Sequence, residues 1–178
     1  MLAQHLSQST SWFTPSVYIQ AARDVLGSIE LDPASCALAN TTVQARHYYT
    51  EEEDGLQQDW TSRTLWMNPP YGKVSGKSNQ EVWSVKLLAE YRAGHVQAAI
   101  MLLNAATDCH WFKPLWAFAL CFTDHRIRFC SPHGDSSQPT HGNVFVYLGP
   151  HPDLFAHVFG RFGTIVLPER CLQSARYC

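Results

Sequence analysis

The residues best suited to chemistry are Asn68-Pro69-Pro70-Tyr71, which follow directly on the apolar run Thr64-Leu65-Trp66-Met67. Neither proline has an N–H for a strand ladder, so a strand over 64–67 must stop here. Each proline also confines the residue before it to extended conformations. The backbone is therefore stiff across the turn, and the Pro69 carbonyl has a nearly set direction. Two acceptors result, the Asn68 amide oxygen and the Pro69 carbonyl, with the flat ring of Tyr71 beside them. Such a cradle matches the planar amino group of a nucleobase: each N–H meets one acceptor, and the base stacks on the tyrosine, a contact worth ~1–3 kcal/mol. An aromatic amine is a poor nucleophile because its lone pair is delocalised into the ring. Acceptors that favour a more tetrahedral nitrogen localise that pair, a stabilisation aimed at the transition state. A strong general base is then not obligatory.

The elements around this turn predict where it lies. Thr14 reads as a helix N-cap, Pro15 as the first helical position and Gly27 as the stop. "SIELD" reads as a strand ending at Asp32, "PASCALANTTVQARHY" as a helix beginning just after it, and "HYYT" as a second short strand. "EVWSVKLLAEYRAG" has Val82, Val85, Leu88 and Ala89 at helical spacing. "QAAIMLLN", "LCFTDHRIRFC", "GNVFVYLG" and "GTIVLP" read as strands, "HWFKPLWAFA" as a helix broken near Pro114, and "PDLFAHVFGRF" as a short helix. "GKVSGKSNQ", residues 72–80, reads as a mobile loop. Strands alternating with helices predict an α/β fold with a mostly parallel sheet, an antiparallel edge from the late strands, and helices on both faces. Ligands of such sheets bind beyond the carboxyl ends of strands. Asp32 and Asn68 both stand at such ends.

The 178-residue chain has a net charge of −2, so no global basic field draws it to nucleic acid. Any such role rests on local pairs: Lys73 with Lys77 in the 72–79 loop, and Arg126 with Arg128, which alternate along a predicted strand and share a face. The six cysteines include no C-x-x-C pair, which predicts free thiols. Cys130, His133 and His141 lack a fourth ligand at a familiar spacing, so no metal site is expected. No apolar run approaches the ~20 residues of a membrane span, so a cytoplasmic protein is expected.

"NPPY" resembles the signature of S-adenosylmethionine-dependent enzymes that methylate exocyclic nitrogens. "WFTPSVY", "ELDPAS", "YYTEEEDGLQQDW", "WMNPPYG", "TDCHWF" and "CFTDHRIRF" occur in the order and spacing of the phage-type DNA N6-adenine methyltransferases. This resemblance covers roughly residues 12–165. It implies a Rossmann-like methyltransferase sheet, with 1–11 as a loose lead-in and 12–178 as one domain without a separate target-recognition domain. It implies S-adenosylmethionine as cofactor and double-stranded DNA as partner, with the target adenine flipped from the stack. It places the chain in the cytoplasm of a bacterial host if phage-encoded.

By the same resemblance, Asn68, Pro69, Pro70 and Tyr71 are catalytic. Thr14, Pro15, Asp32, Pro33, Ala34 and Ser35 belong to the cofactor site, where a helix starting after Asp32 offers N–H groups to the methionine carboxylate. Ala34 and Ser35 stand where the wider superfamily has glycines. Asp54 and Asp59 are candidates for the cofactor's ribose and adenine, with Glu51, Glu52 and Glu53 unranked. Lys73, Lys77, Arg126 and Arg128 face DNA phosphates. Recognition falls to the 72–79 loop and the polar loop Ser131 to His141, or to a partner subunit, as in a homodimer. Cytosine N4, RNA adenine and side-chain amides offer the same planar amine, and a non-catalytic nucleic-acid-binding relic of the fold is the reading from another class.

Overall fold

The alternating pattern resolves into a seven-stranded mixed sheet in a computed structural model that describes residues 12–130 and 141–168. Helix α1 (Ser16–Leu26) leads to β1 (Leu31–Asp32), α2 (Ala37–Val43), β2 (His47–Tyr48) and β3 (Ser62–Met67). A hairpin of β4 (Lys73–Val74) and β5 (Lys77–Ser78) precedes α3 (Asn79–Arg92) and β6 (Val96–Asn104). A 3-10 helix (His110–Ala117), β7 (Ala119–Thr123), β8 (Asn143–Leu148), α4 (Pro152–Phe159) and β9 (Gly163–Val166) complete the described chain.

The spatial order is β2-β1-β3-β6-β8-β7-β9. Strands β2, β1, β3 and β6 are parallel neighbours, while β8 runs against β6 and β7, and β9 against β7. Five of the seven strands thus point one way, and the antiparallel edge is β8-β7-β9. Side-chain alternation divides the core in two. Leu65, Met67, Met101 and Leu103 meet Trp83, Leu87 and Leu88 of α3 on one face. Trp66, Ile100 and Leu102 meet Ile19 and Ala22 of α1 and Phe155 and Phe159 of α4 on the other. Burial at ~25 cal/mol per Å² of apolar surface makes these two layers the main source of stability.

Several local expectations are corrected. The helix expected directly after Asp32 starts at Ala37, because the Cys36 thiol accepts the Ala39 N–H and caps it there. On α3 the buried stripe is Gln80, Trp83, Ser84, Leu87 and Leu88, and Val85 is exposed; two polar residues inside the stripe disguised it. The segment 72–79 is an ordered hairpin rather than a loose loop. Ser75 and Gly76 both adopt positive φ, 49° and 81°, the backbone of a two-residue turn that matches strand twist. Arg126 and Arg128 lie beyond β7, outside any strand, and both are exposed on either side of buried Ile127. The lead-in 1–11, the loop 131–140 with His133, and Cys171 and Cys178 lie outside the described residues. Among the described residues, no helix is long and apolar enough to cross a membrane, and no three His, Cys, Asp or Glu are grouped to hold a metal.

Candidate active site

Strand order reverses beside β1: β2 lies on one side of it and β3 on the other. The carboxyl ends of β1 and β3 therefore flank the switch point, the place where open α/β sheets bind ligands. Leu31 pairs with Leu65, so Asp32 is level with Trp66 and Asn68 lies two residues further on. With strands ~4.8 Å apart and a rise of ~3.3 Å per residue, the Asp32 and Asn68 Cα atoms lie roughly 8 Å apart. The period of two turns both side chains to the α1 face.

Asn68 is held in one orientation. Its Nδ2 donates to Thr14 Oγ1 at 3.2 Å and to the Trp12 carbonyl at 3.4 Å. With the amide nitrogen engaged there, Oδ1 is the atom presented to the rim, and it accepts no hydrogen bond among the described residues. Thr14, 8% exposed, does not cap α1; Pro15 stands at the cap position, and the Thr14 hydroxyl positions Asn68 instead. Pro69 is buried and Pro70 exposed. Tyr71 packs edge-on against Phe129, with ring centroids 6.1 Å apart, and its carbonyl accepts the Asn79 Nδ2 hydrogen at 3.0 Å. The residue keeps 36% exposure, while burial of its phenol pushes it up to about 12. Tyr71 is thus a neutral, anchored, partly open ring.

The turn after β1 forms the other half of the site. Asp32 is 3% exposed and accepts the Ala34 N–H at 3.2 Å. Burial pushes its carboxyl up to about 7, against the opposing pull of the Ala34 N–H and the nearby Ser35 hydroxyl. Ser35 Oγ is buried and makes no hydrogen bond of normal geometry within the described protein. A buried hydroxyl without a hydrogen bond, next to a buried carboxyl held by one backbone N–H, leaves polar capacity at this turn for a ligand. Gly55 fits tightly behind this turn: a Cβ there would lie 2.0 Å from the Pro33 carbonyl oxygen and 3.0 Å from the Trp83 ring. This close approach sets the Gly55 backbone against Pro33, and the neighbouring Asp54 carboxylate accepts the Leu56 N–H at 3.2 Å. Asp59 is linked to the Pro33–Ser35 turn through Tyr49, whose hydroxyl donates to the Asp59 carbonyl at 2.9 Å and whose backbone bonds Asp32 and Ser35. It lies before the start of β3, its carboxylate accepting the Thr61 N–H and hydroxyl, both at 2.8 Å. Glu53 is likewise engaged, accepting the Thr50 N–H at 2.8 Å.

The basic residues fall into two groups. Phe13 and Cys130 exchange backbone hydrogen bonds of 2.8 and 3.1 Å, tying the 126–130 segment to the segment that holds Asn68. Arg126, Arg128 and His125, with Pro15, Val17 and Tyr18, line a concavity of about 590 Å³ on that side. His125 is fixed between Tyr18 OH and Asp124 Oδ1, both at 2.7 Å. In the hairpin, Lys73 pairs with Ser78 and Lys77 with Val74, so the two lysines project from opposite faces of the ribbon. One of them at most faces a given surface. Trp12, Gly55 and Phe129 carry no signal in the sequence that marks them as site residues.

The mixed sheet with helices on both faces, and with a polar rim at its switch point, defines an α/β methyltransferase-like protein. The chain belongs to the DNA N-6-adenine-methyltransferase (Dam) family, whose model matches residues 4–149. It is 29% identical over 106 residues to the DNA N-6-adenine-methyltransferase of Haemophilus phage HP1 (strain HP1c1), an alignment that covers 60% of this chain and 56% of that protein. The chain therefore spans about half the length of that curated relative. No solved structure matches it.

Proposed function

We propose that this chain transfers a methyl group from S-adenosylmethionine to the N6 amino group of an adenine in double-stranded DNA. The observation that carries this reading is the Asn68 amide, fixed by Thr14 and Trp12 so that its oxygen meets the rim. Asn68 Oδ1 and the Pro69 carbonyl accept the two N–H bonds of the amine, and Tyr71 stacks the base. N6 is paired inside a duplex, so the adenine leaves the stack to reach this cradle. Asp32, the Pro33–Ser35 turn and Asp54 hold the cofactor, Ser35 Oγ gaining the partner that it lacks. When bound, S-adenosylmethionine supplies an electrophilic methyl group on a positively charged sulfur. Arg126 and Arg128 take phosphates beside the target, a reading supported by the Phe13–Cys130 pairing, which ties their segment to the residue after Trp12, the acceptor of an Asn68 hydrogen. Incubation of mixed-sequence DNA with the chain and the cofactor, followed by digestion and mass spectrometry, tests this. N6-methyladenine is expected; N4-methylcytosine or no methylated nucleoside would overturn it.

The buried acid makes cofactor binding depend on pH. Burial raises Asp32 to about 7 in the folded chain, against about 3.8 for a carboxyl in water. The folded state therefore binds the extra proton between those values, a stability contribution fully present below about 3.8 and lost as pH rises through about 7. A cationic ligand favours the ionised carboxylate. Cofactor affinity should thus rise with pH up to about 7, at most about ten-fold per pH unit for one linked proton, and level off above it. Calorimetry at a series of pH values from 6 to 8 checks this, and Asp32→Asn should flatten the profile.

A further inference from the structure

A second cavity, of about 300 Å³, opens beyond the carboxyl end of β6, between the start of α3 and the 3-10 helix. Ser78, Gln80, Asn104, Asp108, Trp111 and Gly142 are among its lining residues. Gln80 is 4% exposed, and its Oε1 accepts the Asn104 N–H at 3.0 Å. That bond sets the amide orientation, since the reverse would bring two donors together. Gln80 Nε2 has no hydrogen-bond partner among the described residues, so a nine-tenths-buried donor is directed at the cavity it lines. The Asp108 carboxylate supplies acceptors on the same lining. Trp111 supplies an aromatic wall, its ring held against Phe112 with centroids 5.8 Å apart. No lysine or arginine lines the cavity, and Asp108 would repel a phosphate.

We infer that this cavity reads one nucleobase of the DNA other than the methylated adenine. This rests on the function proposed above. A donor, an acceptor and an indole in a space at the lower end of ligand-pocket sizes suit a single unstacked base that carries both donors and acceptors on its edge. It is not the target's own seat. Asn68 is held from the α1 side, whereas Ser78 and Gln80 belong to the hairpin and α3 on the opposite face. The turn from Pro69 to Tyr71 runs between them. Asn79, next to Gln80, bonds the Tyr71 carbonyl, so the cavity adjoins the catalytic turn and lies within reach of a base close to the target.

The test is methylation of a random-sequence duplex library by the full chain and by two variants, with the bases around each modified adenine sequenced. Gln80→Glu keeps an oxygen for the Asn104 N–H and turns the cavity donor into an acceptor. Asp108→Asn alters the exposed acceptor without touching the core. Each variant should change base preference at one position near the target by roughly ten-fold or more. Wild-type preference at every position in both variants, or an equal loss of rate at all sequences, would overturn the inference while leaving the proposed function in place. Failure of the wild-type chain to methylate any sequence would overturn both.

Discussion

Replacing Asn68 with alanine should lower methyl transfer by about 10²–10³-fold, the scale seen when one preorganised polar group is taken from a developing charge. Cofactor affinity should stay within several-fold, because Asp32, Ser35 and Asp54 lie on a different turn. The expectation follows from two hydrogen bonds. Thr14 and Trp12 occupy the Asn68 nitrogen, so the side chain contributes one acceptor in a set position. Removing it leaves the Pro69 carbonyl as the sole acceptor for an amine with two N–H bonds. The nitrogen lone pair then stays delocalised. Single-turnover methylation, with calorimetry of cofactor binding alongside, measures both parts. Activity near wild type would show that the amide has no role in the transfer.

Gly55→Ala should damage the cofactor side as severely, by a different route. The added methyl would lie 2.0 Å from the Pro33 carbonyl oxygen, which is backbone and has no flexible end to give way. It would also press on Trp83, whose ring stacks on Trp60 with centroids 5.7 Å apart. Either the 55–57 turn or the Pro33–Ser35 turn must move. Overpacking of this kind costs about 1–3 kcal/mol of stability. Displacement of Asp54 and Ser35 should lower cofactor affinity by roughly a hundred-fold, since a misplacement of ~1 Å can be that costly. Thermal unfolding and calorimetry on the variant check the two effects. An unchanged melting temperature with unchanged affinity would mean that the turn relaxes freely and is not a rigid cradle.

Much of the site was legible in the sequence because its signals are local. Two prolines after Leu65-Trp66-Met67 require the strand to end at Asn68, and Asp32 stands at the end of "SIELD" for similar reasons of punctuation. Part of what escaped depends on contacts across long separations. Thr14 is 54 residues from Asn68, and its proximity to Pro15 made it read as a helix cap. Gly55 meets Pro33, and Phe129 meets Tyr71, only after the sheet has formed. The start of α2 was displaced by a cysteine acting as a cap, a role that thiols seldom fill. The buried stripe of α3 contains Gln80 and Ser84, so hydrophobicity alone pointed to the wrong face.

The central claim is that Asn68 acts as an acceptor, and Asn68→Asp isolates that property. Aspartate keeps an oxygen toward the rim and loses the Nδ2 donor that reaches Thr14 and Trp12. Single-turnover methylation by this variant should fall below wild type yet run at least about ten-fold faster than Asn68→Ala, the margin expected of a retained charge-stabilising group. An Asn68→Asp rate no higher than that of Asn68→Ala, with cofactor and DNA still bound, would contradict it.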